Sequence, residues 1–235
     1  ANRMLNKSEK EFSGVFSTAQ RHTQFIDSPK VAKSTSKSSF QIKDLIEKRI
    51  SVFLVIPPDK LNSFNRWLRI VLNQLIMGIT KEEQRPKQDI MFFIDEFSAI
   101  GRFNIIQTAM GLMAGYRMKF WLFLQDLSQL KALYGEAYPT FLSNSSVLQV
   151  FGTNDFETAK YISDIMGRKT IETKSVSQKT TSFMSDSTST QKSARNLMNP
   201  DEVINLDPIK SIVLIDGKPY IFKKISYFKD NKFRK

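Results

Sequence analysis

Four short apolar runs set the terms for this chain: SVFLVI (51–56), IMFFI (90–94), KFWLFL (119–124) and VLQVF (147–151). A strand with one face in water alternates apolar and polar residues, and these runs do not alternate. Between them lie stretches of helical periodicity. From Asn62 to Ile79, apolar residues recur every three or four positions at Phe64, Trp67, Leu68, Val71, Leu72, Leu75 and Ile76. Strands buried on both faces and joined by helices of ten or more residues belong to a parallel sheet covered on both sides. The sequence therefore predicts a doubly wound α/β domain with strands at 50–56, 90–94, 119–124 and 147–151.

The other segments fit around that frame. Residues 1–27 are helix-permissive, with Phe12, Val15, Phe16 and Ala19 at helical spacing, and Pro29 is read as closing that segment. Lys33–Ser39 reads as a loop and Gln41–Arg49 as a short helix. Helices are also predicted over 103–115, over 126–135 with Asp126 as N-cap and Gly135 as stop, and over 153–167 ending at Gly167. Pro200 opens a further short helix. Two strands flanking Asp216–Gly217 predict a terminal β-hairpin, because Asp-Gly suits a tight hairpin turn. Lys174–Lys192 holds ten Ser or Thr in nineteen residues and one aromatic. It cannot bury much, and reads as a mobile loop or an edge ribbon.

Composition excludes several chemistries. The chain has no cysteine and one histidine, His22, so thiolate and multi-histidine metal sites are ruled out within it. No apolar stretch approaches the ~20 residues that span a bilayer. The net charge of +12 favours nucleic acid, anionic lipid or acidic protein as partner, although a lysine-rich composition alone would produce the same figure.

The strand at 90–94 runs into Asp95 and Glu96. Ligands of open α/β sheets bind beyond the carboxyl ends of the strands, where both acids fall. Four hydrophobic residues followed by Asp-Glu form a Walker B pattern. The first acid suits Mg²⁺, held through water, and the second suits orienting or deprotonating an attacking water. Adjacent residues on an extended strand face opposite ways, so the two acids have separate jobs. The plainer reading is a helix cap at Asp95 and a solvated acid at Glu96. Gln125, after the next apolar run, adds a hydrogen-bonding group at a neighbouring strand end.

Several longer motifs then carry a resemblance. FFIDEFSAIGR (92–102), the run from Ala114 to Gly135, FLSNSSVLQVFGTNDFETAKYIS (141–163) and NPDEVINL (199–206) resemble, in order, the carboxyl-terminal half of the TraG-like type IV coupling proteins. Upstream, FIDSPKVAKSTSKSSFQIKDL and SVFLVIPPDKLNSFNRWLRIVLNQL are similar too, so the likeness covers roughly Phe25–Phe233. It implies a RecA-like P-loop NTPase fold: the carboxyl-terminal half of a motor domain over 28–235, a mobile loop at 174–192, and the tail of an inserted all-helical domain at 1–27. It implies a homo-hexameric ATPase on the cytoplasmic face of the bacterial inner membrane, feeding DNA-protein or protein substrates to a secretion or conjugation channel. Relaxosome or effector proteins would be its partners, and no membrane segment is expected in this stretch.

The resemblance also implies roles. Asp95 would be the metal-side acid, Glu96 the catalytic glutamate and Gln125 the γ-phosphate sensor. Arg117 or Arg102 would be the arginine finger offered to a neighbouring subunit. ATP and Mg²⁺ would be the cofactors of the intact protein, with none expected on this stretch alone. One departure stands out: no G-x-x-x-x-G-K-[ST] occurs in the sequence. Without that loop no backbone nest cradles the phosphates, so negligible ATP turnover is expected from these residues alone. In the family the phosphate-loop strand lies between the sensor strand and the strand at 147–151. A break or an unpaired edge is expected there, closed by strand shift or self-association. Two other readings compete. One is a non-catalytic nucleic-acid or protein-binding module with vestigial Walker B acids. The other is a DNA translocase of another family that lost its lysine.

Overall fold

The strongest periodicity in the sequence becomes the longest helix. The computed structural model describes residues 8–177 and 187–233. The chain divides into two compact units, residues 1–124 and 125–235.

In the first unit, helix α1 (Glu9–Thr23) starts in a capping box between Ser8 and Glu11. None of its residues is buried, and Phe12 stacks on Phe16 at 6.1 Å in the open. A 3₁₀ turn (Gln24–Asp27) leads to α2 (Pro29–Thr35), α3 (Ile42–Glu47) and α4 (Leu61–Lys81). Leu72, Ile76 and Ile79 form the buried stripe of α4. A Cβ at Gly78 would meet the Ile42 side chain at 2.9 Å, so the glycine lets α3 lie close against α4. Strand β1 (Ile90–Ile94) and strand β2 (Met118–Leu122) pair in parallel, Ile90 beside Met118 through Ile94 beside Leu122. The crossover between them carries α5 (Asn104–Leu112). After β1 a 3₁₀ turn (Phe97–Ile100) buries Phe97 completely and packs on α4.

The second unit begins with α6 (Leu127–Tyr134) and α7 (Pro139–Ser143). Strand β3 (Val147–Val150) follows, then α8 (Phe156–Met166), the ribbon strands β4 (Arg168–Ser177) and β5 (Ser187–Asn196), α9 (Pro200–Ile204), and strands β6 (Lys210–Ile215) and β7 (Lys218–Lys223). Its core gathers Val150, Ala159, Ile162, Val203, Ile212 and Leu214. Two buried polar side chains are satisfied. Thr158 Oγ1 donates to Asp155 Oδ2 at 2.6 Å and accepts from the Leu127 N–H at 3.0 Å, joining the starts of α6 and α8. Ser163, fully buried, donates to the Met198 carbonyl and accepts from Asn196 Nδ2. The Asp216–Gly217 turn has positive φ at both residues, 48° and 78°, as a two-residue hairpin turn requires.

The α/β class and the terminal hairpin match the sequence reading, and four details differ. Residues 51–56 are not a strand. A strand exists only with a partner to complete its ladder, and none among the described residues pairs here. Phe53 and Val55 stand 82% and 86% exposed. The run at 147–151 is not parallel to its neighbour. It lies antiparallel beside β6, in the order β3-β6-β7, so among the described residues parallel pairing is confined to β1 and β2. Pro29 opens a helix rather than closing one, because its fixed φ and missing N–H suit a first helical turn. Lys33–Thr35, read as the start of a loop, instead end α2, while the Ser/Thr-rich stretch, read as a loop or an edge ribbon, is ribbon strand at 174–177 and 187–192, with 178–186 outside the described residues.

Two further features bear on function. Among the described residues, β2 pairs only with β1 and β3 only with β6, so each leaves one edge open. One face of the β1–β2 pair is also uncovered. Met91, Phe93, Trp121 and Phe123 are exposed on it, the three rings stacked 6.2–6.3 Å apart.

Candidate functional site

Strand β1 delivers two acids to its carboxyl end. Asp95 is exposed, and its Oδ1 accepts from the Glu96 N–H at 3.1 Å. Glu96 is half-buried and sits in the left-handed region at φ 48°, ψ 55°. That conformation costs an L-residue of this kind about 1–2 kcal/mol. The turn survives because its surroundings hold it. The Phe97 N–H donates to the Phe123 carbonyl at 3.0 Å, extending the parallel ladder past the strand ends, and the Phe97 ring is fully buried. The Ala99 N–H donates to the Glu96 carbonyl at 2.9 Å. At the side chain, the Ser98 hydroxyl donates to Glu96 Oε1 at 3.1 Å. Ser98 went unremarked in the sequence, where its only signal is its place two residues after the acid.

The loop beyond is anchored from α4: Arg69 donates to the Arg102 carbonyl at 3.1 Å. The Arg102 side chain donates to Asn104 Oδ1 at 3.2 Å.

Arg117 is held elsewhere. It precedes β2, in left-handed backbone at φ 57°, and donates to Asp89 Oδ1 at 3.0 Å and to the Lys87 carbonyl at 2.6 Å. Asp89 also pairs with Lys119 at 2.6 Å. The hydrogen bond from Lys119, and then that from Arg117, holds the Asp89 carboxyl below its ordinary range. Asp89 and Arg117 lie at the amino ends of β1 and β2. The acids lie at the carboxyl end, roughly 20 Å away at about 3.3 Å per residue. Within one chain, Arg117 and Glu96 do not meet.

Gln125 opens the second unit. Its N–H donates to Gln129 Oε1 at 3.2 Å, just ahead of Asp126, which caps α6 by accepting from the Gln129 N–H at 2.9 Å.

Among the described residues no three His, Cys, Asp or Glu gather as a metal cage. A single exposed carboxylate at a strand end fits Mg²⁺ of the phosphate-bound kind, which takes one or two carboxylates and completes its shell with water and substrate oxygens. No helix among the described residues is long and apolar enough to cross a membrane.

Comparison with known proteins identifies the family. A family model described as "Type IV secretory system Conjugative DNA transfer" matches residues 1–235. VirD4 of Rhizobium rhizogenes is 31% identical over 211 residues, covering 88% of this chain and 31% of that protein. Conjugal transfer protein TraG of Escherichia coli is 30% identical over 261 residues, covering 98% of this chain and 41% of that protein. The chain thus spans about a third of the length of these curated relatives. Among solved structures, plasmid coupling protein TrwB in complex with the ATP analogue ADPNP superposes with TM-score 0.69 at 17% identity, covering 92% of this chain and 50% of that one. TrwB with ADP and Mg²⁺ superposes at 0.66, covering 94% and 55%. The shared fold is that of a RecA-like P-loop NTPase.

Proposed function

The chain belongs to the type IV secretory system conjugative DNA transfer family, the coupling proteins of secretion and conjugation, and from that premise we propose that it supplies the hydrolytic half of an ATP-driven motor. The observation that carries this reading is the end of β1. Two adjacent acids follow one strand end; the first accepts from the N–H of the second, and the second sits in left-handed backbone with a serine on its carboxylate. Strained backbone held by its surroundings is a mark of functional positions.

In this reading Asp95 would hold the Mg²⁺ of bound ATP, and the ion would supply charge that offsets that building on the phosphates during phosphoryl transfer. Glu96 orients the attacking water and takes its proton, with Ser98 fixing the carboxylate. Gln125 contacts the γ-phosphate. Arg117, remote from its own chain's acids, serves a neighbouring subunit of a hexamer as arginine finger. Residues 1–27 are the tail of a helical domain. The phosphate loop belongs to a segment outside these 235 residues, so the chain alone turns over negligible ATP. The assembled protein works at the cytoplasmic face of the inner membrane with DNA, relaxosome or effector proteins, and channel components.

The test is reconstitution with an upstream half that carries a phosphate loop, measuring ATPase with and without DNA. Turnover should require both halves and should fall at least about a hundredfold in Glu96→Gln, on the scale of losing a general base. Turnover by this chain alone that Glu96→Gln abolishes would refute the claim that the missing loop matters.

A further inference from the structure

We propose that a basic cavity at the amino end of α4 is a binding site for the phosphate backbone of single-stranded nucleic acid. It is a half-open depression of about 580 Å³ within the first unit, where the end of α1 and the following turn meet the first turns of α4. Arg21, Lys60, Arg66 and Arg69 line it, and Asn62 and Ser63 add neutral hydrogen-bonding groups. Among the described residues no carboxylate lines it. Asp59 lies 3.4 Å from Lys60 in an exposed pair that a phosphate can replace at little cost. Arg21, Arg66 and Arg69 have no acidic partner within 4 Å among the described residues.

Two of the cations are held in place. Arg66 donates to the Arg21 carbonyl, and Arg69 donates to the Arg102 carbonyl at 3.1 Å. Each guanidinium has five N–H donors, so each keeps several for a ligand. Three residues apart on α4, they share one face of the helix. Helix α4 has no side-chain cap and no acid in its own first turn, and its amino end continues from a 3₁₀ turn (Pro58–Lys60) whose one acid is Asp59.

The shape favours an extended polyanion over a single ion. The volume falls in the range of sites for whole small molecules, far larger than one phosphate needs. Phe25 and Phe64, both half-buried, line the cavity with apolar surface beside the cations. Cations tracking a backbone beside aromatic faces are what single-stranded nucleic acid requires. The site also touches the hydrolytic end of the unit, because Arg69 tethers the loop that follows Glu96. The proposal rests on the reading that this chain handles DNA, and it names where.

Fluorescence anisotropy with a labelled single-stranded oligonucleotide tests it on the chain as it stands. Arg21→Gln/Lys60→Gln removes two charges without deleting either guanidinium–carbonyl tether. Lys218→Gln/Lys223→Gln removes two from the terminal hairpin as control. The cavity variant should bind at least about fivefold more weakly, and its salt slope should fall by about 1.4, two phosphates' worth for a single strand. The control should stay within about twofold. Equal losses in both variants would overturn the cavity while leaving DNA binding intact. No binding by the unaltered chain would overturn both readings. Pyrophosphate competes as the free-anion arm. Complete displacement of the oligonucleotide by pyrophosphate at equal phosphate concentration would assign the cavity to small phosphates instead.

Discussion

The Ser98 hydroxyl donates to Glu96 Oε1 at 3.1 Å, two residues after a backbone turn that only a few residue types adopt readily. The turn aims the acid and the serine fixes it, so position and orientation are separable by mutation.

Glu96→Gly removes the left-handed penalty, and the variant should be at least as stable as the unaltered chain in urea titrations. Glu96→Val adds a β-branch at the same φ and should lose about 1–2 kcal/mol. Equal stability in both variants would mean that the backbone relaxes when the carboxylate is lost.

Thr158→Val keeps the shape of a buried side chain and deletes the acceptor of the Leu127 N–H. The orphaned donor should cost about 1–3 kcal/mol, measured by chemical denaturation. Thr158→Ser retains the oxygen and should recover most of that loss.

Asp89 predicts an acid limb in the stability profile. Its folded carboxyl titrates below the ordinary value because of Lys119 first and Arg117 second. Such a group stabilises the fold fully above the unfolded aspartate pKa of about 3.9, and the contribution disappears as pH falls through the lowered folded value. Thermal melts from pH 6 down to about 2 should show a shallower decline for Asp89→Asn than for the unaltered chain. Asp155 and Glu202 are lowered too, by hydrogen bonds from Thr158 and from the Asn199 N–H respectively, so part of the limb should persist.

The open strand edges and the uncovered ring face predict self-association. Sedimentation velocity should show concentration-dependent growth, reduced by Phe93→Thr/Trp121→Thr, which removes two exposed rings. A single monomeric species at high concentration, unchanged by the substitutions, would contradict this.

Much of the fold was legible because its signals are local. Asp126 and Asp155 cap the helices that follow them, Gly135 and Gly167 end them, and Asp216–Gly217 turns the hairpin. Each works within a few residues, so the sequence carries the whole cause. The acids at 95 and 96 were legible for the same reason, since an apolar strand places whatever follows it at its carboxyl end. Ser98 was not, because nothing in the sequence says that the backbone folds back there.

Pairing was what local signals could not supply. SVFLVI has every property of a strand and is not one, because a ladder needs a second chain segment beside it. VLQVF is a strand, but its antiparallel direction comes from β6, sixty residues later. Arg117, expected to serve a neighbouring subunit, has its place fixed only by the register of Ile90 with Met118, which puts it at the opposite end of the sheet from its own chain's acids. The basic cavity is likewise beyond reading in sequence, since Arg21 and Arg69 converge only when α1 and α4 meet. By itself the sequence determined helices, turns and the end of β1, where cause and effect lie within one stretch of backbone. Tertiary structure alone decided which strands pair, which arginines meet and which face is left open, because those depend on contacts between residues far apart in the chain.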